Sequence, residues 1–145
     1  MSLSYDMQAI VDRAKERATN VVRAVAVDLV AGMQSEAPVD TGRLRANFQV
    51  GFGSINRLTN SAPGTDSATR AKQALAAWVP GQTIYLTNSL PYARVAEYGL
   101  YGKPPGSANG PKTVGGFPRQ AQGGFVRITF QNVGQSLQKA VRAQK

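Results

Sequence analysis

The 145-residue chain contains no histidine and no cysteine. Those two absences remove the thiol nucleophile, the imidazole general base, the structural zinc site and the disulfide framework together. Acidic residues are also scarce, eight Asp and Glu against 17 Lys and Arg, for a formal net charge of +9. Eight scattered carboxylates are a thin supply for a hard-cation site built from oxygen ligands. We therefore expect no metal, no cofactor and no catalytic residues. A long apolar run is missing too: the most apolar stretch, 21–33, carries Arg23 and Asp28 and is shorter than the ~20 residues of a bilayer span. No basic, apolar and small-residue leader pattern stands at the start. The expectation is a soluble chain with no membrane partner, and the lack of cysteine fits a reducing compartment.

What is present points to one α+β domain over 1–145. The length suits a single domain, and 42% hydrophobic residues can supply a core. Charge is unevenly placed. Up to Glu97 there are ten basic and eight acidic residues, whereas 98–145 holds seven basic residues and no acid. Such asymmetry indicates a polyanionic or acidic neighbour for the C-terminal third, or else a solvated, solubilising face.

Met7, Ile10, Val11, Ala14, Ala18, Val21, Val22, Val25, Leu29 and Met33 recur at steps of three and four, which predicts one long helix within 1–36. Over 5–35 it would run roughly 45 Å at 1.5 Å per residue. That is long for so small a domain, so part of the stripe either packs on another subunit or projects as an exposed overhang. Next, Leu44, Ala46, Phe48, Val50 and Phe52 alternate with polar residues and glycine, the period of a half-buried strand. Asp66 is placed to cap a short helix running to about Trp78. The β-branched and aromatic segment 83–88 reads as a second strand. Pro91 opens a short helix over 92–98 that Gly99 closes. The 37–99 region is thus a strand and helix core. Residues 100–124 hold seven Gly and four Pro without hydrophobic period, and we expect a flexible loop that a partner orders. Val126, Phe130, Val133, Leu137, Ala140 and Val141 form a last helical stripe within 125–145, although 126–130 also alternates as a strand would. The fold class expected is a long N-terminal helix and a C-terminal helix packed on a small antiparallel sheet, with a long Gly/Pro-rich loop.

Motifs for chemistry fail on inspection. Asp40-Thr41-Gly42 is similar to the catalytic turn of aspartic proteases, but Arg43 beside it would hold the carboxylate ionised and defeat proton sharing. We read it as a turn built by Pro38, Asp40 and Gly42, with the Asp40 side chain bonding backbone N–H groups two residues on. Gly99 to Lys103 lacks phosphate-loop spacing, and Gly51 to Asn56 lacks the third glycine of a dinucleotide fingerprint. For polyanions the candidates are Lys103, Lys112, Arg119 and Arg127, with Tyr98, Tyr101, Phe117 and Phe125 interleaved. They are spaced along the chain, which suits non-specific contact with DNA better than sequence readout.

Two stretches carry a family resemblance. Residues 37–45, Ala-Pro-Val-Asp-Thr-Gly-Arg-Leu-Arg, resemble the turn-and-strand signature of tail-completion (neck) proteins of long-tailed bacteriophages. Residues 91–99, Pro-Tyr-Ala-Arg-Val-Ala-Glu-Tyr-Gly, resemble that family's Pro-Tyr-Ala…Glu…Gly segment, and the order of elements agrees over about 5–142. The 125–127 segment departs from the family's usual Pro-containing helix start. The resemblance implies a structural virion protein without catalytic residues, a ring of copies in the neck, made in the bacterial host cytoplasm. Its partners would be its own copies, connector or head-completion proteins, and tail-terminator or tail-tube proteins; a tail terminator or minor tail protein is the alternative slot. The residues marked for assembly are Pro38, Asp40, Thr41, Gly42, Arg43, Arg45, Tyr92, Glu97 and Gly99. We expect Glu97 and Asp40 to hold Arg43, Arg45 or Arg94, either inside the fold and subunit contact or as surface pairs worth under ~1 kcal/mol. A reading of another class, a non-specific nucleic-acid-binding protein, rests on the basic C-terminal third.

Overall fold

The computed structural model describes residues 3–59, 62–102 and 112–145. The long apolar stripe becomes helix α1, Leu3–Glu36, uninterrupted as expected. Its two halves differ in surroundings. Ala26, Leu29, Val30 and Met33 are buried, whereas residues 10–18 are all exposed. Met7, Ile10 and Val11 are 58%, 64% and 42% exposed. The first half of the stripe is therefore an overhang that the other described residues do not cover.

A tight turn follows, with Gly42 at φ +79°. The alternating segment after it is only partly strand. Arg45–Asn47 forms a 3₁₀ turn, and strand β1 is confined to Gln49–Phe52. The reason lies in Asn47. Strict alternation would send it to solvent, but it is fully buried, and its Nδ2 donates to the Arg43 carbonyl at 2.6 Å. Helix α2, Ser67–Leu75, starts at Asp66, whose carboxylate accepts from the Ala68 N–H. Strand β2, Ile84–Thr87, pairs antiparallel with β1 in the register Gln49 to Thr87 and Phe52 to Ile84. Helix α3, Ala93–Tyr98, ends on Gly99 in the left-handed region at φ +64°.

The described part of the Gly/Pro-rich stretch is more ordered than its composition predicts. Strands β3, Thr113–Val114, and β4, Phe117–Pro118, form a small hairpin across Gly115 and Gly116, both at positive φ. That two-glycine link is the geometry that a tight hairpin turn requires. The rest of the expected loop, 103–111, lies outside the described residues.

The C-terminal stripe folds as two helices, α4 (Val126–Gln131) and α5 (Val133–Arg142), meeting at Asn132. Ile128, Thr129 and Val133 are β-branched and resist helix continuity there. Both helices lie on α1. Thr129 of α4 sits against Gly32, where an added Cβ would come within 2.7 Å of its methyl group. Asn20 of α1 meets Gln144 just beyond α5, at 3.4 Å.

The core gathers Val30, Met33, Leu44, Phe48, Leu75, Trp78, Leu90 and Phe125 between α1, the β1–β2 sheet and the shorter helices. Phe48 and Phe125 meet edge to face, with centroids 5.9 Å apart at 71°, a favoured aromatic geometry. The architecture is α+β, with a long N-terminal helix and C-terminal helices against small two-stranded antiparallel sheets.

Candidate assembly surface

Most of the residues marked by sequence fall into two places, and Arg45 and Gly99 stand outside both. Residues 38–44, Tyr92 and Tyr101 line a cavity of about 630 Å³, closed on its other side by Lys112, Thr113 and 118–120. Burial raises the Tyr101 hydroxyl above its usual pKa of 10.0, with Tyr92 and Asp40 adding to the shift. Glu97 lies elsewhere, on the rim of an apolar groove of about 680 Å³ between α1, β2, α3 and α4.

Within the turn, Asp40 does not cap its own backbone as expected. It pairs with Lys112 Nζ at 3.1 Å, both side chains being 79% exposed. The local turn bond belongs to Thr41, whose Oγ1 accepts from the Arg43 N–H at 3.4 Å. Arg43 is exposed, and among the described residues no acid pairs with it. Arg45 takes a different post. Its Nε donates to the Ala37 carbonyl at 2.8 Å and its Nη2 to the Ser35 carbonyl at 3.1 Å. Those acceptors stand at the C-terminal end of α1, which has no basic residue in its own last turn. A guanidinium there satisfies carbonyls without intrahelical partners and opposes the helix dipole.

Glu97 also finds a partner other than those expected. Its carboxylate accepts the backbone N–H groups of Phe125, Val126 and Arg127 at 2.8, 2.9 and 3.2 Å. Arg127 Nε adds a fourth bond at 3.1 Å, while Arg94 is exposed. A nearly buried acid, 6% exposed, thus caps α4 from another element, where orphan N–H groups and the positive dipole end favour negative charge. The Arg127 guanidinium also lies 5.3 Å from the Tyr98 ring centroid, a cation–π distance.

Of the four polyanion candidates, Lys112 and Arg127 are thus paired to Asp40 and Glu97. Arg119 lines the turn cavity, and Lys103 lies outside the described residues. The structure brings the turn, Tyr92, Lys112 and Arg119 together and leaves Glu97, Arg127 and the groove on a second surface.

Gln120 was missed by sequence reasoning. Its Oε1 accepts the Val39 N–H at 2.7 Å and its Nε2 donates to the Val39 carbonyl at 3.0 Å. This amide mimics one rung of a strand pair and straps the turn to the hairpin segment. Asn88 was missed as well: its Nδ2 donates to the Leu44 carbonyl at 2.9 Å. Neither amide stands in a periodic pattern, so no sequence signal marks it. The groove residues Val22, Ile84, Leu86 and Leu137 are apolar positions of predicted elements, indistinguishable in sequence from core.

Among the described residues no group of three acidic residues is placed to hold a metal, and no helix is long and apolar enough to cross a membrane. Residues 3–99, which contain both marked stretches, match the family of HK97-gp10-like bacteriophage tail components. The chain belongs to that family. Comparison with curated proteins and with solved structures gives no match. As a phage tail component the chain is a structural protein of the virion that works among other phage structural proteins, and its family is not a class of enzymes. The matched region stops at Gly99, so α4, α5 and the hairpin, which supply the partners of Asp40 and Glu97, lie beyond it.

Proposed function

We propose that this tail component is a tail-completion subunit that joins head to tail as a ring of identical copies in the neck. The observation that supports this most is the pair of uncovered apolar surfaces carried on one helix: the overhang at the start of α1 and the groove beside its second half. A ring subunit needs two different, complementary faces, because a head-to-tail contact repeated by rotation closes an annulus. Assembly proceeds by shape and charge, with no bond made or broken in a substrate. The neighbours above and below are connector or head-completion proteins and tail-terminator or tail-tube proteins. The turn strapped by Gln120 and Lys112 gives them a surface of fixed shape. Assembly takes place in the host cytoplasm before the particle is released. Contact with passing DNA is non-specific and falls to the basic C-terminal third, 98–145, which carries seven basic residues and no acid.

The test is removal of this chain from the phage. Full heads and finished tails that accumulate separately, and that join when the protein is added back, are the expected result. Normal virions from such a deletion would sink the proposal. Malformed or over-long tails would point to a terminator instead. Tight binding of the isolated monomer to DNA, with a steep loss on adding salt, would favour the nucleic-acid-binding alternative.

A further inference from the structure

We infer that the outer edge of β2 is a docking edge, where an extended segment of another structural protein of the virion adds a strand to the sheet. In the β1–β2 ladder Phe52 lies opposite Ile84 and Val50 opposite Leu86, and the Gly53 N–H donates to the Thr83 carbonyl at 2.9 Å. That bond fixes the phase of the ladder. Tyr85 and Thr87 turn their main-chain groups to β1, while Ile84 and Leu86 turn their N–H and C=O groups the other way. No strand lies on that side. Among the described residues none of these four groups has a hydrogen-bond partner.

The opposite edge of the same sheet is closed. The Phe48 carbonyl accepts Arg70 Nη2 at 3.2 Å, the Val50 carbonyl accepts Asn56 Nδ2 at 3.2 Å, and α2 packs alongside β1. Proteins blunt a free edge with a charge, a proline, a bulge or a covering element. The β1 edge has its cover. The β2 edge, Ile-Tyr-Leu-Thr, carries neither charge nor proline, and its register runs without a bulge. Space beside it stays open, since Ile84 and Leu86 line the groove.

Unpaired main chain selects its partner by chemistry. Donors and acceptors alternating along an edge are satisfied by another extended main chain, and not by the side chains of a helix face. A strand added here lays alternate residues along the Ile84–Leu86 face, so apolar residues at every second position suit it. An edge this short offers few bonds. The added strand is therefore an arm of a protein held elsewhere in the particle, and it gains from that tether. A second copy of this chain is the poorer occupant: its β1 edge is closed, and β2 against β2 joins copies only in twos. The contact depends on the chain's place among tail components and not on the ring, and it takes the β2 wall of the groove alone.

Amide hydrogen exchange on the wild-type chain, free and within purified phage particles, reads the edge directly. The Tyr85 amide is bonded to β1 and stays protected in both. The Ile84 and Leu86 amides are expected to exchange freely in the isolated protein and at least about tenfold more slowly in particles. Equal rates in the two preparations overturn the inference. Slow exchange already in the free protein overturns it too, and a dimer in sedimentation would then give the edge to a second copy. Two variants separate main-chain from side-chain recognition. Leu86→Pro removes an outward N–H that β1 does not use, a place where an edge strand tolerates proline. Leu86→Ala keeps that N–H and trims the side chain. Uptake into particles should fall at least about tenfold for Leu86→Pro and stay near wild type for Leu86→Ala. Equal losses would assign the contact to side-chain packing and overturn the inference. If Leu86→Pro does not fold, the wild-type exchange comparison still decides.

Discussion

Arg127 holds Glu97 at two points, its Nε donating to the carboxylate at 3.1 Å and its Nη2 to the Glu97 main-chain carbonyl. Together with the three backbone N–H groups at the start of α4, this makes Glu97 the junction between α3 and the C-terminal helices. The groove rim depends on that junction.

Glu97→Ala is expected to lower stability by about 3 kcal/mol, because it leaves buried donors without an acceptor. Glu97→Gln should lose less, since one oxygen remains but the new NH₂ faces donors. Chemical denaturation of the two variants checks the order. Equal midpoints for wild type and Glu97→Ala would refute it.

Gly99 closes α3 at φ +64°, and a Cβ there would lie 2.5 Å from the Phe117 ring. Gly99→Ala should cost about 2 kcal/mol, combining left-handed strain with the collision. Adding Phe117→Ala should recover the steric part, so the double-mutant cycle gives a favourable coupling. Purely additive effects would show that the ring is not what confines this glycine.

Asp66 predicts a pH dependence. The Thr69 hydroxyl bond lowers its pKa below the usual 3.8, helped by bonds from Gln34, Ala68 and the Thr69 backbone and opposed by desolvation. The unfolded chain therefore binds the proton more readily. The stabilisation is complete above the unfolded value and is lost as pH falls through the lower folded value. Asp66→Asn keeps a capping oxygen. Its melting-temperature deficit should be largest above pH 4 and vanish in stronger acid; a constant deficit would contradict the assignment.

Gln120→Ala removes the two-point bond to Val39. Because the site is exposed, the global loss should stay near ~1 kcal/mol. The Val39 amide should exchange its hydrogen much faster, while amides of the α1 core half keep their protection. Unchanged exchange at Val39 would show that the strap is not formed in solution.

Local physics was readable without coordinates wherever a residue acts on its own neighbours. The three-and-four stripe of α1, the Asp66 cap, the second strand and the Gly99 stop need only nearest-turn geometry, and each lies within a few residues of its expected place. The hairpin at 113–118 had a signal too, Gly115-Gly116 between short extended pairs, but a surrounding Gly/Pro-rich composition masks a two-residue turn. Asn47 shows the opposite limit. Its alternation with Phe48 reads as strand, and only burial against neighbours from distant sequence turns the segment into a 3₁₀ turn.

Residue types and their order were sufficient to exclude thiol and imidazole chemistry, to set the helical stripe and to mark the two family stretches. Which cation meets which carboxylate was decided in three dimensions. Glu97 and Arg127 are separated by 30 residues and Asp40 and Lys112 by 72, and a side chain's charge does not say which opposite charge folding will bring within 4 Å. The same holds for the groove: hydrophobicity marks a residue as wanting cover, whereas only packing reveals which of those residues the fold leaves uncovered.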